Sequence, residues 1–209
     1  MHPNPAYRHD DRALHELLID QIGFGMVFAQ TPDGPRVAHT PILSTGDGAV
    51  QFHLARANAL SRTLAGGEAL VTINGPDAYV SPRWYADRAT VPTWDYVALE
   101  LEGPVRRMER EGLEAMLEAI GQRGEGRIEG GEPWTRADTP PAVWDRLIGA
   151  ITGFEMEVRA WRPTIKLHQT HDAADRDRIA GALEAGGSPG IAHLMRSLTD
   201  MPGDRAGGN

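Results

Sequence analysis

Three short apolar segments near the start of the chain are separated by turn-forming residues, and this pattern restricts the fold more than any other feature. The segments cover residues 26–30, 36–43 and 49–54. Pro32-Asp33-Gly34-Pro35 separates the first two, and Gly46-Asp47-Gly48 separates the second from the third. Short strands joined by such turn residues are typical of antiparallel hairpins. The pattern therefore predicts an antiparallel meander.

The rest of the chain adds strands and surrounding helices. Strands are predicted at 69–73, 96–108 and 154–161, and Gly103-Pro104 indicates a bulge or bend of the kind that closes a barrel. Apolar residues at helical spacing predict helices at 14–22, 59–64, 113–120, 143–151, 172–185 and 190–198, and Asp10 or Asp11 would cap the first of them. A glycine-rich mobile loop is predicted at 121–132 and a frayed tail at 202–209. Together these elements predict an α+β barrel.

Composition limits the classes of function. The 209 residues suit one domain, or one domain with a helical appendage, and the chain has no cysteine. Disulfides, thiol nucleophiles and thiolate metal sites are therefore excluded, and redox chemistry would need a bound cofactor. No apolar run reaches the length of a membrane span and the first residues do not resemble a signal peptide, so we expect a cytoplasmic protein.

The charge of the chain argues against a DNA-binding face. The formal net charge is -8 and the sequence pI is about 5.5. Most non-specific affinity for DNA comes from basic side chains that neutralise phosphates. The arginines are spread along the chain and interleaved with acids, which is typical of solvated helix faces. Direct binding to DNA is not expected.

Aromatic residues are concentrated between residues 74 and 96. The segment holds three of the four tyrosines and two of the five tryptophans, in a chain with 6% aromatic residues. Rigid rings beside serine, threonine and arginine side chains could grip a flat, partly polar ligand. A hydrophobic mini-core under a proline-rich loop would give the same composition.

Five motifs, in order along nearly the whole chain, resemble the PaiB family of FMN-binding negative transcriptional regulators. They are Ala38-His-Thr-Pro41, His53-Leu-Ala-Arg-Ala-Asn58, Gly75-Pro-Asp-Ala-Tyr-Val-Ser-Pro-Arg-Trp-Tyr85, Val91-Pro-Thr-Trp-Asp-Tyr96 and Lys166-Leu-His-Gln169. The resemblance implies an antiparallel, Greek-key-like FMN-binding split β-barrel with peripheral helices and a helical C-terminal segment. It also implies two parts of the chain: residues 1–170 would form the barrel domain with its N-terminal helix, and residues 171–209 would form helices packed on the barrel.

The resemblance also implies a function. FMN would be held at the interface of a homodimer, in a protein similar to PaiB-type regulators. One alternative is a flavin-dependent oxidoreductase of the pyridoxamine-phosphate-oxidase type acting on an unknown small molecule, and another is a cofactor-free or haem-binding split barrel. Whether the protein is an enzyme stays open, because split barrels include catalysts and simple binders.

A phosphate site is predicted where a strand runs into a helix. Arg56 and Asn58 lie there, beside His53, and a helix start offers free N–H groups and a positive dipole. The family resemblance implies that Arg56 is the main contact of the FMN phosphate. The alternative from the residues alone is that Asn58 caps the helix and Arg56 lies on the surface. The family usually has proline where this chain has Ala59.

The remaining predicted cofactor contacts fall into three groups of residues. The ring system would be lined by His39, Thr40 and Pro41 and gripped by Ser81, Trp84, Tyr85, Thr93 and Trp94. The tryptophans could equally anchor a dimer interface. Lys166 and Gln169 complete the predicted contacts.

Two residues depart from the family's pattern near these contacts. Asp95 stands where asparagine is more common, and His168 stands where serine is usual. A negative charge near a reduced flavin would disfavour the flavin anion. His168 and His171 suggest a metal site or a haem contact, but residues three apart on an extended segment point to opposite faces, so we expect no metal site.

Overall fold

The computed structural model describes residues 2–199, which form an antiparallel α+β fold, as predicted. The strands are β1 (Phe24–Thr31), β2 (Gly34–Pro41), β3 (Leu43–Ser44), β4 (Ala49–Ala55), β5 (Glu68–Val80), β6 (Thr93–Arg107), β7 (Ile151–Glu157) and β8 (Ala160–Lys166). The α-helices are α1 (Arg12–Ile22), α2 (Arg110–Glu125), α3 (Pro141–Gly149), α4 (Ala173–Ala185) and α5 (Pro189–Thr199). Short 3-10 turns occur at Pro5–Tyr7, Ala59–Arg62, Pro82–Trp84 and Arg136–Asp138.

The chain folds as two compact units. Unit 1 contains the described residues of Met1–Arg12, Asn74–Leu99 and Arg162–Asn209, and unit 2 contains Ala13–Ile73 and Glu100–Trp161. Strands β5, β6 and β8 each contribute residues to both units. The predicted division at residue 170 stays a prediction, and the predicted frayed tail lies outside the described residues.

The first hairpin of the predicted meander is confirmed in unit 2, but the third segment pairs with the second only through Leu43 and Ser44 of β3 and otherwise pairs with β7. β1 and β2 pair antiparallel from Phe24↔Pro41 to Thr31↔Gly34, so the Asp-Gly turn joins neighbouring strands. The strand order is β2-β1-β5-β6-β7-β4-β3, with β8 paired to β6 outside this path. Along β4 the side chains of Val50, Phe52 and Leu54 are buried, as expected for a strand with one face in the core.

Several predicted boundaries were wrong. β5 continues to Val80, so residues 74–80 of the aromatic segment belong to a strand. Helix α2 continues to Glu125, into the segment predicted as a mobile loop, because Gly121 and Gly124 are tolerated inside a helix that is packed on the core. The predicted strand at 154–161 is two strands, β7 and β8, and Ile151 begins β7 instead of ending a helix.

Gly103 lies in the middle of β6 and has a packing role. An added Cβ would lie 1.8 Å from the carbonyl oxygen of Glu157, so only glycine allows the two backbones to approach this closely. The strand continues through this position to Arg107.

The core of unit 2 includes a cluster under α2 and α3. Met108, Leu113, Met116, Trp144 and Ile148 are all at least 92% buried in this cluster, since none exceeds 8% exposure. The cluster fixes both helices against β7 and thereby positions the residues at the start of α2. Within residues 2–199, no helix has both the length and the hydropathy that crossing a bilayer requires.

Candidate functional sites in the two units

A cavity of about 370 Å³ in unit 2 is lined by arginines from three parts of the chain. Arg56 follows the end of β4, Arg107 ends β6, and Arg110 is the first residue of α2. Glu109 is the single acidic residue among those that line the cavity. The wall is therefore positively charged, although the whole chain carries a net charge of -8.

Strand β7 explains why these residues meet. Its start pairs with the end of β4, in the register Ala55↔Ile151, and the amide of Arg56 donates to the carbonyl of Ala150 at 2.9 Å. On its other side β7 pairs with β6, in the register Arg107↔Phe154. The ends of β4 and β6 therefore flank the first residues of β7, and both arginines reach the same cavity.

The arginines of this cavity differ in their partners. Arg110 contacts Glu114 at 2.8 Å and also Asp145, and these hydrogen bonds raise its pKa above the usual value. Within residues 2–199, the side chains of Arg56 and Arg107 have no hydrogen-bond or ion-pair partner. These two cations are available to an anionic ligand.

The N-terminus of α2 adds to the positive potential of the cavity. Glu109 is the N-cap residue, and its side chain makes no capping hydrogen bond. The first helical hydrogen bond of α2 runs from the amide of Leu113 to the carbonyl of Glu109, at 3.1 Å. The preceding amides have no partner within the helix, and such free N–H groups with the helix dipole favour an anion.

The other predicted phosphate residues have structural roles. Asn58 caps the 3-10 turn at Ala59–Arg62, and its side-chain oxygen accepts from the amide of Leu60 at 2.9 Å. The expected helix here is a single 3-10 turn, so the helix N-terminus beside Arg56 belongs to α2. The sequence did not reveal this, because α2 follows Arg56 only after two further strands.

The predicted residues of β2 and β4 lie together in unit 2. The hydroxyl of Thr40 donates to the carbonyl of His53 at 2.6 Å, and Thr40 is buried. Burial lowers the pKa of His53, whose Nδ1 atom has no hydrogen-bond partner among the described residues. His39 is exposed on β2 and Pro41 is half-buried.

A second, smaller cavity of about 190 Å³ lies in unit 1. Its lining includes Tyr7, Tyr85, Thr90, Val91, Thr93, Lys166, His168 and His171. The amino group of Lys166 donates to the hydroxyl of Thr93 and, at 2.6 Å, to the carbonyl of Trp94. Burial lowers the pKa of Lys166, and the charge of Asp95 opposes this shift.

Behind this cavity lies a buried chain of three polar side chains. His168 is hydrogen-bonded through Nδ1 to a carboxylate oxygen of Asp95 and through Nε2 to the hydroxyl of Tyr85. Burial raises the pKa of Tyr85, and the charges of Asp95 and Asp175 act in the same direction. In the sequence, Asp95 and His168 stand only as two separate departures from the pattern of the family. Their joint occurrence was the available signal, because each supplies the hydrogen-bond partner that the other needs.

His168 and His171 lie closer together than expected. Their ring centroids are 4.7 Å apart, because the chain turns here and the amide of His171 donates to the carbonyl of His168 at 2.9 Å. The assumption of an extended segment was therefore wrong. Among residues 2–199 no group of three or more histidine and acidic side chains could hold a metal ion.

The remaining predicted contacts in unit 1 are partly used by the fold. Ser81 caps the turn at Pro82–Trp84 through the amide of Arg83, at 3.3 Å. Gln169 bonds to the backbone of residues 6, 165 and 167. Trp94 is 54% exposed, with the ring of Tyr79 edge-on at 6.3 Å.

The predicted cofactor residues thus form two groups, one in each unit. Unit 2 holds His39, Thr40, Pro41, His53, Arg56 and Asn58, and unit 1 holds Ser81, Trp84, Tyr85, Thr93, Trp94, Lys166 and Gln169. Their assignment to one cofactor stays a prediction.

Comparisons with known proteins agree with the predicted family. Protease synthase and sporulation protein PAI 2 of Bacillus subtilis is 25% identical over 186 residues, which cover 87% of this chain and 88% of the relative. The FAD and haem binding protein from Mycobacterium smegmatis is similar in fold, with a TM-score of 0.59, 16% identity, and coverage of 81% of this chain and 78% of that chain. The flavocytochrome Anf3 from Azotobacter vinelandii has a TM-score of 0.60, 14% identity, and coverage of 84% and 77%.

These similarities confirm the predicted fold and the resemblance to the PaiB family. The family model described as "Putative FMN-binding domain" matches residues 1–160, which is most of the 209-residue chain. The chain belongs to this family of FMN-binding domains.

Proposed function

We propose that this protein is a flavoprotein that binds FMN, with the FMN phosphate in the arginine cavity of unit 2. The observation that carries the proposal is the convergence of Arg56 and Arg107, both without partners in the described chain, on the uncapped N-terminus of α2. Arginine pairs with phosphate through two parallel hydrogen bonds, and a helix N-terminus contributes further donors.

The charge of the cavity favours FMN over FAD. FMN ends in a phosphate monoester, which carries close to two negative charges near neutral pH, as a phosphorylated side chain does. FAD also carries two negative charges, but they are spread over the two phosphates of its diphosphate, with one charge on each. Two unpaired arginines and a helix N-terminus match the monoester better, so the free energy of binding should be more favourable for FMN.

The ring system is expected to contact the residues of β2 that were predicted to line it, His39, Thr40 and Pro41. Thr40 is fixed by its hydrogen bond to the carbonyl of His53, so it offers an oriented polar group. When bound, FMN would supply one- and two-electron redox chemistry. The residues of the chain bind and orient the flavin.

We also propose that the protein is a homodimer. In unit 1, Tyr79 is 47% exposed, Val91 is 74% exposed and Trp94 is 54% exposed. The rings of Tyr79 and Trp94 are in edge-on contact. Exposed aromatic clusters of this kind are enriched at protein interfaces.

A regulatory role of the PaiB type is part of the proposal, without specific binding of this chain alone to duplex DNA. The net charge of -8 supports this restriction, because a specific complex gains much of its affinity from a basic face.

Ligand titration tests the proposal. FMN, FAD, riboflavin and haemin are each added to the purified protein, and binding is followed by absorption and flavin fluorescence. We expect one FMN per chain, bound at least about tenfold more tightly than FAD or riboflavin, as one or two charge-assisted hydrogen bonds would provide. Equal affinity for riboflavin and FMN, or saturable binding of haemin alone, would contradict the proposal.

A further inference from the structure

We propose that the cavity of unit 1 is an acid–base site. In this site Tyr85 removes a proton from the O–H group of a small phenol or enol, His168 and Asp95 take up the charge behind it, and Lys166 binds the oxyanion that forms. The proposal does not depend on flavin binding in unit 2. It rests on the hydrogen-bond chain Asp95–His168–Tyr85 and on the position of this chain at a cavity wall.

The direction of the hydrogen bonds follows from the chemistry of the groups. An ionised carboxylate can only accept, so Nδ1 of His168 donates to Asp95. Nε2 of the neutral imidazole is then an acceptor, and the hydroxyl of Tyr85 donates to it. The remaining lone pairs of the Tyr85 oxygen are free to accept a proton from a ligand in the cavity that Tyr85 lines.

This arrangement is buried. The side chains of His168 and Asp95 are 2% and 0% exposed, and the second oxygen of Asp95 has no hydrogen-bond partner among the described residues. A buried carboxylate with incomplete hydrogen bonding gains stability when a positive charge forms beside it. Protonation of His168 supplies that charge, as in other relays of a hydroxyl, a histidine and an aspartate.

The backbone at His168 is also unusual. Its φ of 58° lies in the left-handed region, and His168 is the one non-glycine residue with positive φ in the described chain. Such a conformation costs energy and persists when surrounding contacts determine it. Here the His168 ring lies between Asp95 and Tyr85, and its hydrogen bonds to both side chains hold this conformation.

The proton transfer balances without an oxidant or a reductant. The O–H bond of the ligand breaks and its proton binds the Tyr85 oxygen, while the phenolic proton of Tyr85 moves to Nε2 of His168. The products are an oxyanion, a neutral Tyr85 and an imidazolium beside Asp95. Burial and nearby negative charge raise the pKa of Tyr85, so Tyr85 itself stays protonated before the ligand binds.

The other groups at the cavity suit the developing anion. Lys166 makes two hydrogen bonds to Thr93 and Trp94, which leaves the third N–H of its ammonium form for a ligand oxygen. Burial and the neighbouring His168 lower the pKa of His171, against the opposing effect of Asp175, so His171 is neutral at pH 7. Lys166 is therefore the cation of this cavity.

The size and lining of the cavity define the class of ligand. A volume of about 190 Å³ holds up to about ten non-hydrogen atoms at roughly 20 to 30 Å³ each. The rings of Tyr7 and Tyr85 and the side chain of Val91 provide flat apolar walls. A single aromatic ring with one acidic hydroxyl group matches both properties.

The test uses p-nitrophenol, whose anion absorbs visible light, with flavin-free protein at a pH about one unit below the pKa of this phenol. About a tenth of the free phenol is ionised under these conditions. We expect saturable binding of one molecule per chain with more than half of the bound phenol ionised. Tyr85→Phe and His168→Gln should abolish the excess ionisation, and Lys166→Met should weaken binding about tenfold or more.

Exposed residues of the same types provide matched controls. Tyr79→Phe and His193→Gln change a tyrosine and a histidine of unit 1 outside the cavity, and both should behave as the wild type. Circular dichroism establishes folding for each variant. Absence of saturable ionisation in the wild type, or its persistence in folded Tyr85→Phe and His168→Gln, would overturn the proposal. Arg56→Ala should leave the signal unchanged, which separates this result from the test of flavin binding.

Discussion

Arg56 and Arg107 reach the same cavity because the strands that carry them both pair with β7. The end of β4 pairs with the start of this strand at Ala55↔Ile151, and the end of β6 pairs with it at Arg107↔Phe154. Neither arginine has a side-chain partner in the described chain, whereas neighbouring Arg106 is bound to Glu155, with its Nε atom 3.1 Å from a carboxylate oxygen.

The contrast between Arg107 and Arg106 gives the first prediction. Arg107→Ala should weaken FMN binding about tenfold, because it removes one charge-assisted contact with the phosphate. Arg106→Ala should change the affinity less than about twofold, since this side chain is neutralised by Glu155 and lies at a different cavity, of about 440 Å³. Fluorescence titration of both variants decides this, and equal effects would argue against Arg107 as a phosphate contact.

Much of the fold could be predicted from local pattern. The alternation on β4 and the turn residues around Asp33 fix strands and hairpins through short-range effects that the sequence displays directly. The limits of α2 and β5 were missed because packing overrides local propensity. Glycine at 121 and 124 favoured a loop, yet contacts of Met116 and Leu113 with the core keep the helix in place.

Close packing at Gly103 gives the second prediction. Gly103→Ala should lower the free energy of unfolding by about 2 kcal/mol or more, because the new Cβ would lie 1.8 Å from the carbonyl oxygen of Glu157. Gly124→Ala is the matched control. It lies in α2 with no atom within 4 Å of an added Cβ, so it should stabilise by up to about 1 kcal/mol. Urea denaturation measures both, and a neutral effect of Gly103→Ala would contradict the observed strand approach.

The third prediction concerns pH and His53. Burial lowers the pKa of this residue from its ordinary value of 6.5, so below pH 6.5 the unfolded chain binds a proton that the folded chain does not. Stability should therefore fall as the pH falls below 6.5, by at most about 1.4 kcal/mol per pH unit from this residue.

In the variant His53→Gln, the free energy of unfolding should fall less than in the wild type as the pH is lowered below 6.5. Urea denaturation at pH 7.5 and pH 5 compares it with the wild type and with His193→Gln, which replaces an exposed histidine of α5. The same loss of stability in all three proteins would show that His53 does not contribute.

Exposed aromatic surface gives the fourth prediction. Light scattering should return about twice the monomer mass of 22.7 kDa at micromolar concentration, and Trp94→Ser should shift the protein toward the monomer. Leu147→Ser is the control, because Leu147 is 53% exposed and Trp94 is 54% exposed. A wild-type mass of 22.7 kDa at all concentrations would refute the dimer.

The candidate sites were only partly predictable. Arg56 was chosen from a motif, which a sequence can display, and it lines a cavity suited to an anion. The contribution of α2 was not predictable, since it depends on the register of β4, β6 and β7. The hydrogen bonds of His168 to Asp95 and Tyr85 were missed for a similar reason, because the left-handed backbone at His168 is not evident from its neighbours in the sequence.

The most direct test of the central claim is a titration of FMN and riboflavin into the wild type and Arg56→Ala. Removal of Arg56 should weaken FMN binding by about 2 to 3 kcal/mol, or on the order of 30- to 150-fold, because the phosphate loses a bidentate partner. Riboflavin has no phosphate, so its weaker binding should hardly change. Arg36→Ala, which removes an exposed arginine of β2, should leave both affinities unchanged. Equal losses for FMN and riboflavin in folded Arg56→Ala, or no loss for either, would contradict the assignment of the phosphate to this cavity.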